Sequence, residues 1–125
     1  MNSCLILFAH GARDARWAEP FEAVAARIRQ AAPDRLIELA FLEMMTPDLA
    51  EATRRAAAAG ATRIDIVPLF LGTGGHLRKD LPPLVEGIRG THPTLDIRLH
   101  EAIGEHAAVI EAIAAAALAT TRFGE

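Results

Sequence analysis

Two histidines and one glutamate recur at an even spacing and belong to residue types that bind transition metals. His10 and Glu43 are 33 residues apart, and Glu43 and His76 are again 33 residues apart. A neutral imidazole nitrogen and an ionised carboxylate oxygen both bind divalent iron, cobalt, nickel or zinc. Three such ligands leave coordination positions open on the ion, which suits transfer of a metal better than its storage.

Four cationic side chains lie close to these histidines in the sequence. Arg13 and Arg16 follow the first histidine, and Arg78 and Lys79 follow the second. A cation near the start of a helix is repelled by the helix dipole. Two helix starts that nevertheless both carry cations indicate an anionic partner such as a polycarboxylate or a phosphate. The alternative is that these are ordinary solubilising residues on exposed helix ends.

The hydrophobic pattern supplies the elements that must position these residues. Short apolar runs without alternation are typical of parallel strands covered on both faces, and the predicted strands are Cys4–Ala9, Leu36–Leu42, Ile64–Leu71 and Leu95–Leu99. Three of the predicted helices are Trp17–Ala31, Leu77–Arg89 and Glu105–Thr120. The remaining one, second along the chain, has Thr46 as its N-cap and Pro47 in its first position, and Gly60 ends it. We therefore predict an α/β fold, a three-layer α/β/α single domain over residues 1–125 with a four-stranded parallel sheet.

The predicted topology brings the three candidate ligands to one edge of the sheet. His10, Glu43 and His76 each follow one of the first three strands, and ligands of open α/β sheets bind along the carboxyl ends of the strands. The turn Gly72–Gly75 would let a ligand approach the backbone closely. Each residue also has a structural interpretation: a histidine at a strand end often caps a helix or binds a carbonyl, and a lone glutamate is usually solvated. Spacing alone leaves both interpretations open.

Composition excludes several classes of function. The net charge of −3 and the aromatic content of 5% argue against nucleic-acid binding. The single cysteine, Cys4, forms neither an internal disulfide nor a thiolate cluster. No apolar run approaches the roughly 20 residues needed to cross a bilayer, and Val109–Ala119, interrupted by Glu111, is interpreted as an amphipathic helix. We expect a cytoplasmic protein that is not bound to membranes.

Several motifs in the chain resemble those of the short-form sirohydrochlorin chelatases. His10–Asp14 resembles the HGSR-type opening of that family, and Glu43 with Pro47 resembles its second motif. The most specific match is Pro68–Leu71 followed by Gly75-His76 and Asp80–Pro82. Gly104–His106 matches a less specific motif before the last helix. Together these motifs cover nearly the whole chain in the family's order.

The resemblance implies a class II chelatase with a flavodoxin-like half fold that pairs as a homodimer. The implied reaction is insertion of Co²⁺ or Fe²⁺ into sirohydrochlorin, in cobalamin or siroheme biosynthesis, and some relatives handle Ni²⁺. The metal is then a substrate, and we expect no permanently bound cofactor. By the resemblance the catalytic residues and metal ligands are His10, Glu43 and His76. The expected substrate-binding residues are Arg13, Gly74, Gly75, Arg78 and Lys79.

Two departures from the family pattern and two rival functions remain at this point. Ala12 stands where the opening motif usually has serine, and the histidine-rich segment of some short relatives is absent. A non-catalytic metal or tetrapyrrole carrier would use the same edge. A phosphoryl-transfer enzyme with His10 as nucleophile is less favoured, because histidine phosphatases have arginine where this chain has Ala9.

Overall fold

A computed structural model describes residues 2–122, which form one sheet flanked by helices. All neighbouring strands are parallel, and their order across the sheet is β2-β1-β3-β4. The strands are β1 (Ser3–Ala9), β2 (Leu36–Phe41), β3 (Arg63–Pro68) and β4 (Asp96–Leu99). The predicted α/β fold with four parallel strands is confirmed.

Helices lie on both faces of this sheet. They are α1 (Glu19–Ala31), α2 (Leu49–Ala58), α3 (Gly75–Thr91) and α4 (Ala107–Thr120), with short 3-10 turns at Ala15–Ala18 and Ile103–Glu105. One face packs against α2 and α3 and contains the largest buried side chains, among them Ile6, Phe8 and Ile66. The other face packs against α1 through Leu7, Ala25 and neighbouring residues. Burial on both faces of β1 explains its run of apolar residues.

The predicted starts of the first two helices differ from the structure, and α4 likewise begins two residues later than predicted, at Ala107. The segment expected to open the first helix forms the 3-10 turn Ala15–Ala18, and α1 begins only at Glu19. The segment expected to begin the second helix at Thr46-Pro47 contains a cis peptide bond, and α2 starts two residues later. Its cap is Asp48, whose Oδ1 accepts a hydrogen bond from the amide of Glu51 at 2.8 Å. The predicted end at Gly60 is confirmed, because this residue follows α2 with φ of +97°.

Helix α3 starts two residues earlier than the sequence pattern predicted, so His76 lies within its first turn. The Pro82-Pro83 pair lies inside the helix. Proline has no amide N–H, so the carbonyl groups four residues earlier, of Arg78 and Lys79, lack their usual helical donors. The first turn of α3 is therefore tied to the rest of the helix by fewer hydrogen bonds than in a regular helix.

Helix α4 is not amphipathic, contrary to the prediction. Glu111 is its one charged residue, apolar side chains occupy every side of the helix, and all residues from Ala107 to Thr120 are at least partly exposed. Its main neighbour is the turn Ile103–Glu105, so α4 does not complete the second helical layer. Within the described residues, the helices are too short or too polar to span a membrane. The cytoplasmic location stays a prediction.

Candidate active site

The first two predicted ligands lie in contact beyond the carboxyl ends of β1 and β2. The Nε2 atom of His10 is 3.0 Å from Oε1 of Glu43, and about half of each side chain is exposed. The backbone fixes this pair, because the amide of Glu43 donates to the carbonyl of His10 at 3.0 Å. This bond continues the ladder between β1 and β2 past the ends of the strands. The contact between two residues 33 positions apart therefore follows from strand register.

A glycine next to the histidine makes this approach of the two chains feasible. Gly11 has φ of +101°, a conformation that favours glycine. A Cβ atom at Gly11 would lie 1.8 Å from the carbonyl oxygen of Glu43, far inside van der Waals contact. Only glycine fits here without displacing the backbone that carries the carboxylate.

An aromatic side chain at the end of β3 supports the histidine ring. The ring centroid of Phe70 lies 6.3 Å from that of His10 in an edge-on arrangement, and Phe70 itself is buried. The amide of Gly104 donates to the Phe70 carbonyl at 3.0 Å, and a Cβ at Gly104 would lie 2.0 Å from the carbonyl oxygen of Leu71. The loop after β3 is therefore fixed against the segment after β4. Phe70 and Gly104 belong to the motifs found in the sequence, but the motifs did not predict these contacts.

The third predicted ligand is not assembled with the other two. His76 is exposed in the first turn of α3. Among residues 2–122, no three side chains of histidine, cysteine, aspartate or glutamate lie close enough together to hold one metal ion. The structure thus brings His10 and Glu43 together, and participation of His76 stays a prediction.

The predicted substrate-binding residues lie in exposed positions close to His10 and His76 in the sequence. Arg13 follows the histidine turn, and Gly74 caps α3. The space above Gly74 and Gly75 is open, since a Cβ on either would meet no described atom within 4 Å. Arg78 lies 3.9 Å from the carboxylate of Glu105, a distance at which the ion pair holds its guanidinium only weakly. Lys79 is also exposed.

A second polar cluster lies on the face of the sheet. Asp65, in the middle of β3, accepts hydrogen bonds from Arg35 and Arg63 at 3.1 Å and contacts Nε2 of His100 at 2.7 Å. Burial alone would raise the pKa of Asp65, but the hydrogen bonds from Arg63 and His100 hold that pKa below its usual value. His100, which directly follows β4, is therefore engaged with Asp65. An aspartate inside an otherwise apolar strand was the available signal for this cluster.

Comparison with known proteins agrees with this architecture. A family described as CbiX matches residues 4–120. A sirohydrochlorin cobaltochelatase from Methanopyrus kandleri is 30% identical over 81 residues, which are 65% of this chain and 57% of that protein. The match therefore spans a little over half the length of that curated relative.

Two solved structures have the same fold. A protein from Marinobacter aquaeolei VT8 described as a CbiX protein is 36% identical, with a TM-score of 0.83 over 94% of this chain and 96% of that one. The sirohydrochlorin chelatase SirB from Bacillus subtilis subspecies spizizenii, solved with cobalt, is 25% identical with a TM-score of 0.77. That alignment covers 95% of this chain and 51% of SirB. The family match, extending from the first strand to the end of α4, shows that this chain belongs to the CbiX family.

Proposed function

We propose that this protein inserts a divalent metal ion, Co²⁺ or Fe²⁺, into sirohydrochlorin, as a step of cobalamin or siroheme biosynthesis. The observation that carries the proposal is the contact between His10 and Glu43 at the ligand edge of the sheet. The relatives named as sirohydrochlorin chelatases support the choice of reaction. Nickel is a further candidate metal.

The distance between the two side chains suits a shared metal ion. In an octahedral site with bonds of about 2.1 Å, two neighbouring ligand atoms lie about 3.0 Å apart. The Nε2 atom of His10 and Oε1 of Glu43 are 3.0 Å apart before any metal is bound. The pair can therefore take up an ion as two adjacent ligands with little movement, and four positions on the ion remain for water, His76 and the incoming ring nitrogens.

The same contact provides for one of the protons that metal insertion releases. An ionised carboxylate only accepts hydrogen bonds, so a hydrogen bond in this contact is donated by Nε2 of His10. Holding a metal ion at Nε2 requires the other tautomer, with the hydrogen on Nδ1, and this change releases no proton. When the ion passes to the ring, two pyrrole N–H protons must leave; Nε2 of His10 or the carboxylate of Glu43, then free of the metal, would accept one and pass it to solvent. The second proton leaves through His76 or water.

Cations and an open glycine turn suit a flat, polycarboxylate ring. Arg13, Arg78 and Lys79 are exposed and would pair with carboxylates of the substrate. The open space above Gly74 and Gly75 lets a macrocycle approach the backbone at the start of α3. We further propose that the protein works as a homodimer. The apolar surface of α4 supports this assembly.

Visible absorbance of purified protein with sirohydrochlorin tests the reaction directly. Under anaerobic conditions with Co²⁺ or Fe²⁺, we expect protein-dependent spectral conversion over many turnovers. His10→Ala and Glu43→Gln should lower the rate by about 100-fold or more, as expected for groups that bind the reacting ion. His92→Ala, at the far end of α3, serves as the matched control. Stoichiometric binding without turnover would instead identify a carrier.

A further inference from the structure

Two apolar side chains are unusually exposed at the edge of the sheet that carries His10 and Glu43. Among residues 2–122, Leu71 at 68% and Met44 at 60% are the most exposed of the large apolar side chains. Met44 directly follows Glu43, and Leu71 directly follows Phe70, whose ring meets that of His10 edge-on. A single exposed apolar side chain is ordinary, but a pair beside candidate metal ligands indicates a ligand with an apolar surface.

The backbone at Met44 is strained in order to present this side chain. Met44 has φ of +65°, a conformation that costs energy for any residue other than glycine. It is the middle residue of a three-residue turn, because the amide of Met45 donates to the carbonyl of Glu43 at 2.8 Å. Glycine would make the same turn without strain, yet the chain has a long apolar side chain here. Strained residues of this kind are concentrated at sites that bind ligands.

The surroundings of the two side chains differ from those of a loose surface loop. Met44 and Glu43 are among the residues that line one cavity of about 450 Å³. A Cβ on Gly104 would lie 2.4 Å from the Cα atom of Leu71, so the backbone of Leu71 is packed against the segment after β4. The Leu71 side chain is therefore exposed although its backbone is closely packed.

The order of the strands places Met44 and Leu71 on opposite sides of the metal-binding pair. Strands β2 and β3 flank β1, so they lie about 10 Å apart. Met44 follows β2, Leu71 follows β3, and His10 follows β1 between them. Only a wide ligand can reach both side chains, and its centre then lies near His10. The exposed cations close to this edge in the sequence are Arg13, Arg78 and Lys79. Apolar contacts with nearby cations fit a ring that has an apolar face and carboxylates on its rim.

We propose that Met44 and Leu71 contact the apolar face of the tetrapyrrole on either side of the ion held by His10 and Glu43. The inference rests on the proposed function and names residues that bind the ring itself. The two contacts hold the plane of the ring over the ion while the cations pair with its carboxylates. Neither side chain is a ligand for Co²⁺ or Fe²⁺, since leucine has no donor atom and a thioether favours softer ions such as Cu⁺.

The affinity for metal-free sirohydrochlorin, measured by fluorescence titration of the ring without added metal, tests the contacts. Met44→Ala and Leu71→Ala should each raise Kd by about 10-fold, as expected for loss of one apolar contact. Met44→Gln keeps the length and the left-handed strain but is polar, so it should weaken binding as much as alanine. Met44→Leu and Leu71→Met should stay within about 3-fold of the unaltered chain. The matched control is Leu84→Ala on α3, a 39% exposed leucine outside this edge, which should leave Kd unchanged.

Three other measurements separate a ring contact from a structural role. Calorimetric titration with Co²⁺ in the absence of the ring should give the same affinity for both alanine variants as for the unaltered chain. Sedimentation equilibrium should give the same mass for all of them. Met44→Gly removes the strain together with the side chain, so Tm should be unchanged or higher while Kd for the ring rises.

Unchanged ring affinity in both alanine variants, or in Met44→Gln, would overturn the proposal. Weaker Co²⁺ binding would instead make Met44 part of the metal site, and a lower mass would make the pair a contact between copies of the chain; either result contradicts the assignment. Ring binding is measured without metal insertion, so the two proposals can fail separately. A chain that binds the ring but does not insert metal would contradict the proposed reaction alone, whereas a chain that does not bind the ring would refute both.

Discussion

Replacing Gly11 by alanine tests whether close backbone packing holds the His10–Glu43 pair together. Gly11 has φ of +101°, and Gly60, at the end of α2, has φ of +97°. A Cβ at Gly11 would meet the carbonyl oxygen of Glu43 at 1.8 Å, whereas one at Gly60 would meet nothing within 4 Å. The two substitutions therefore share the conformational strain and differ in the clash.

The expected magnitudes follow from this difference. The strain of alanine in a left-handed conformation costs about 1–2 kcal/mol, which is the whole effect expected for Gly60→Ala. At Gly11 the added methyl must also push Glu43 away by more than an ångström. This movement breaks the 3.0 Å hydrogen bond from the amide of Glu43 to His10, at a further cost of about 1 kcal/mol, plus residual strain. We expect about 3 kcal/mol in total for Gly11→Ala.

Thermal unfolding followed by circular dichroism measures both variants. At roughly 4 °C per kcal/mol for a domain of this size, Gly60→Ala should lower Tm by about 6 °C and Gly11→Ala by about 12 °C. At a temperature where both remain folded, only Gly11→Ala should lose metal insertion, because only there is the ligand pair separated. Equal losses of Tm, or full activity in Gly11→Ala, would refute this account of the site.

Three further substitutions have separate expected outcomes. His76→Ala should leave Tm unchanged, because the side chain is exposed, and lower kcat by at least about 10-fold; an unchanged kcat would remove His76 from the reaction. Asp65→Asn should cost about 1–3 kcal/mol at pH 7. The lowered pKa of Asp65 stabilises the fold fully above about pH 5 and less as the pH falls below about 4, so urea unfolding of the variant should depend less on pH in that range. Arg78→Ala should raise KM for the anionic ring without changing kcat, whereas Arg98→Ala, paired with Asp96 on β4, should change neither.

The sheet and the proximity of His10 and Glu43 could be predicted because each follows from the pattern of the strands. Continuous apolar runs identified the parallel strands, and a residue after each strand must lie at the common edge. His10 and Glu43 therefore meet without any information from distant parts of the chain. The predicted start of α2 was wrong. Proline is common in the first position of a helix, so Pro47 was placed there, whereas in the structure Asp48 is the N-cap and α2 begins at Leu49.

The features that sequence did not predict depend on contacts between distant segments. The requirement for glycine at Gly11 arises from the carbonyl of Glu43, and that at Gly104 from Leu71. Such contacts leave no local pattern. The position of His76 relative to the pair depends on the path of the loop after β3 and on where α3 begins, and neither follows from strand periodicity. The exposure of α4 is likewise a property of tertiary packing, and the single charged residue Glu111 was not enough to make this helix amphipathic as predicted.

The proline pair inside α3 divides the helix into two parts with different hydrogen-exchange behaviour. Val85 and Ile88 are buried beyond Pro83, and Leu81 is buried just before Pro82. The first turn, with His76, contacts the core through the partly buried Leu77 and is joined to the rest of the helix by two fewer backbone hydrogen bonds. The first turn is therefore held less firmly than the part of α3 that follows. Its amides should exchange with solvent deuterium well before those of that later part, and binding of a metal ion should slow that exchange at the first turn alone.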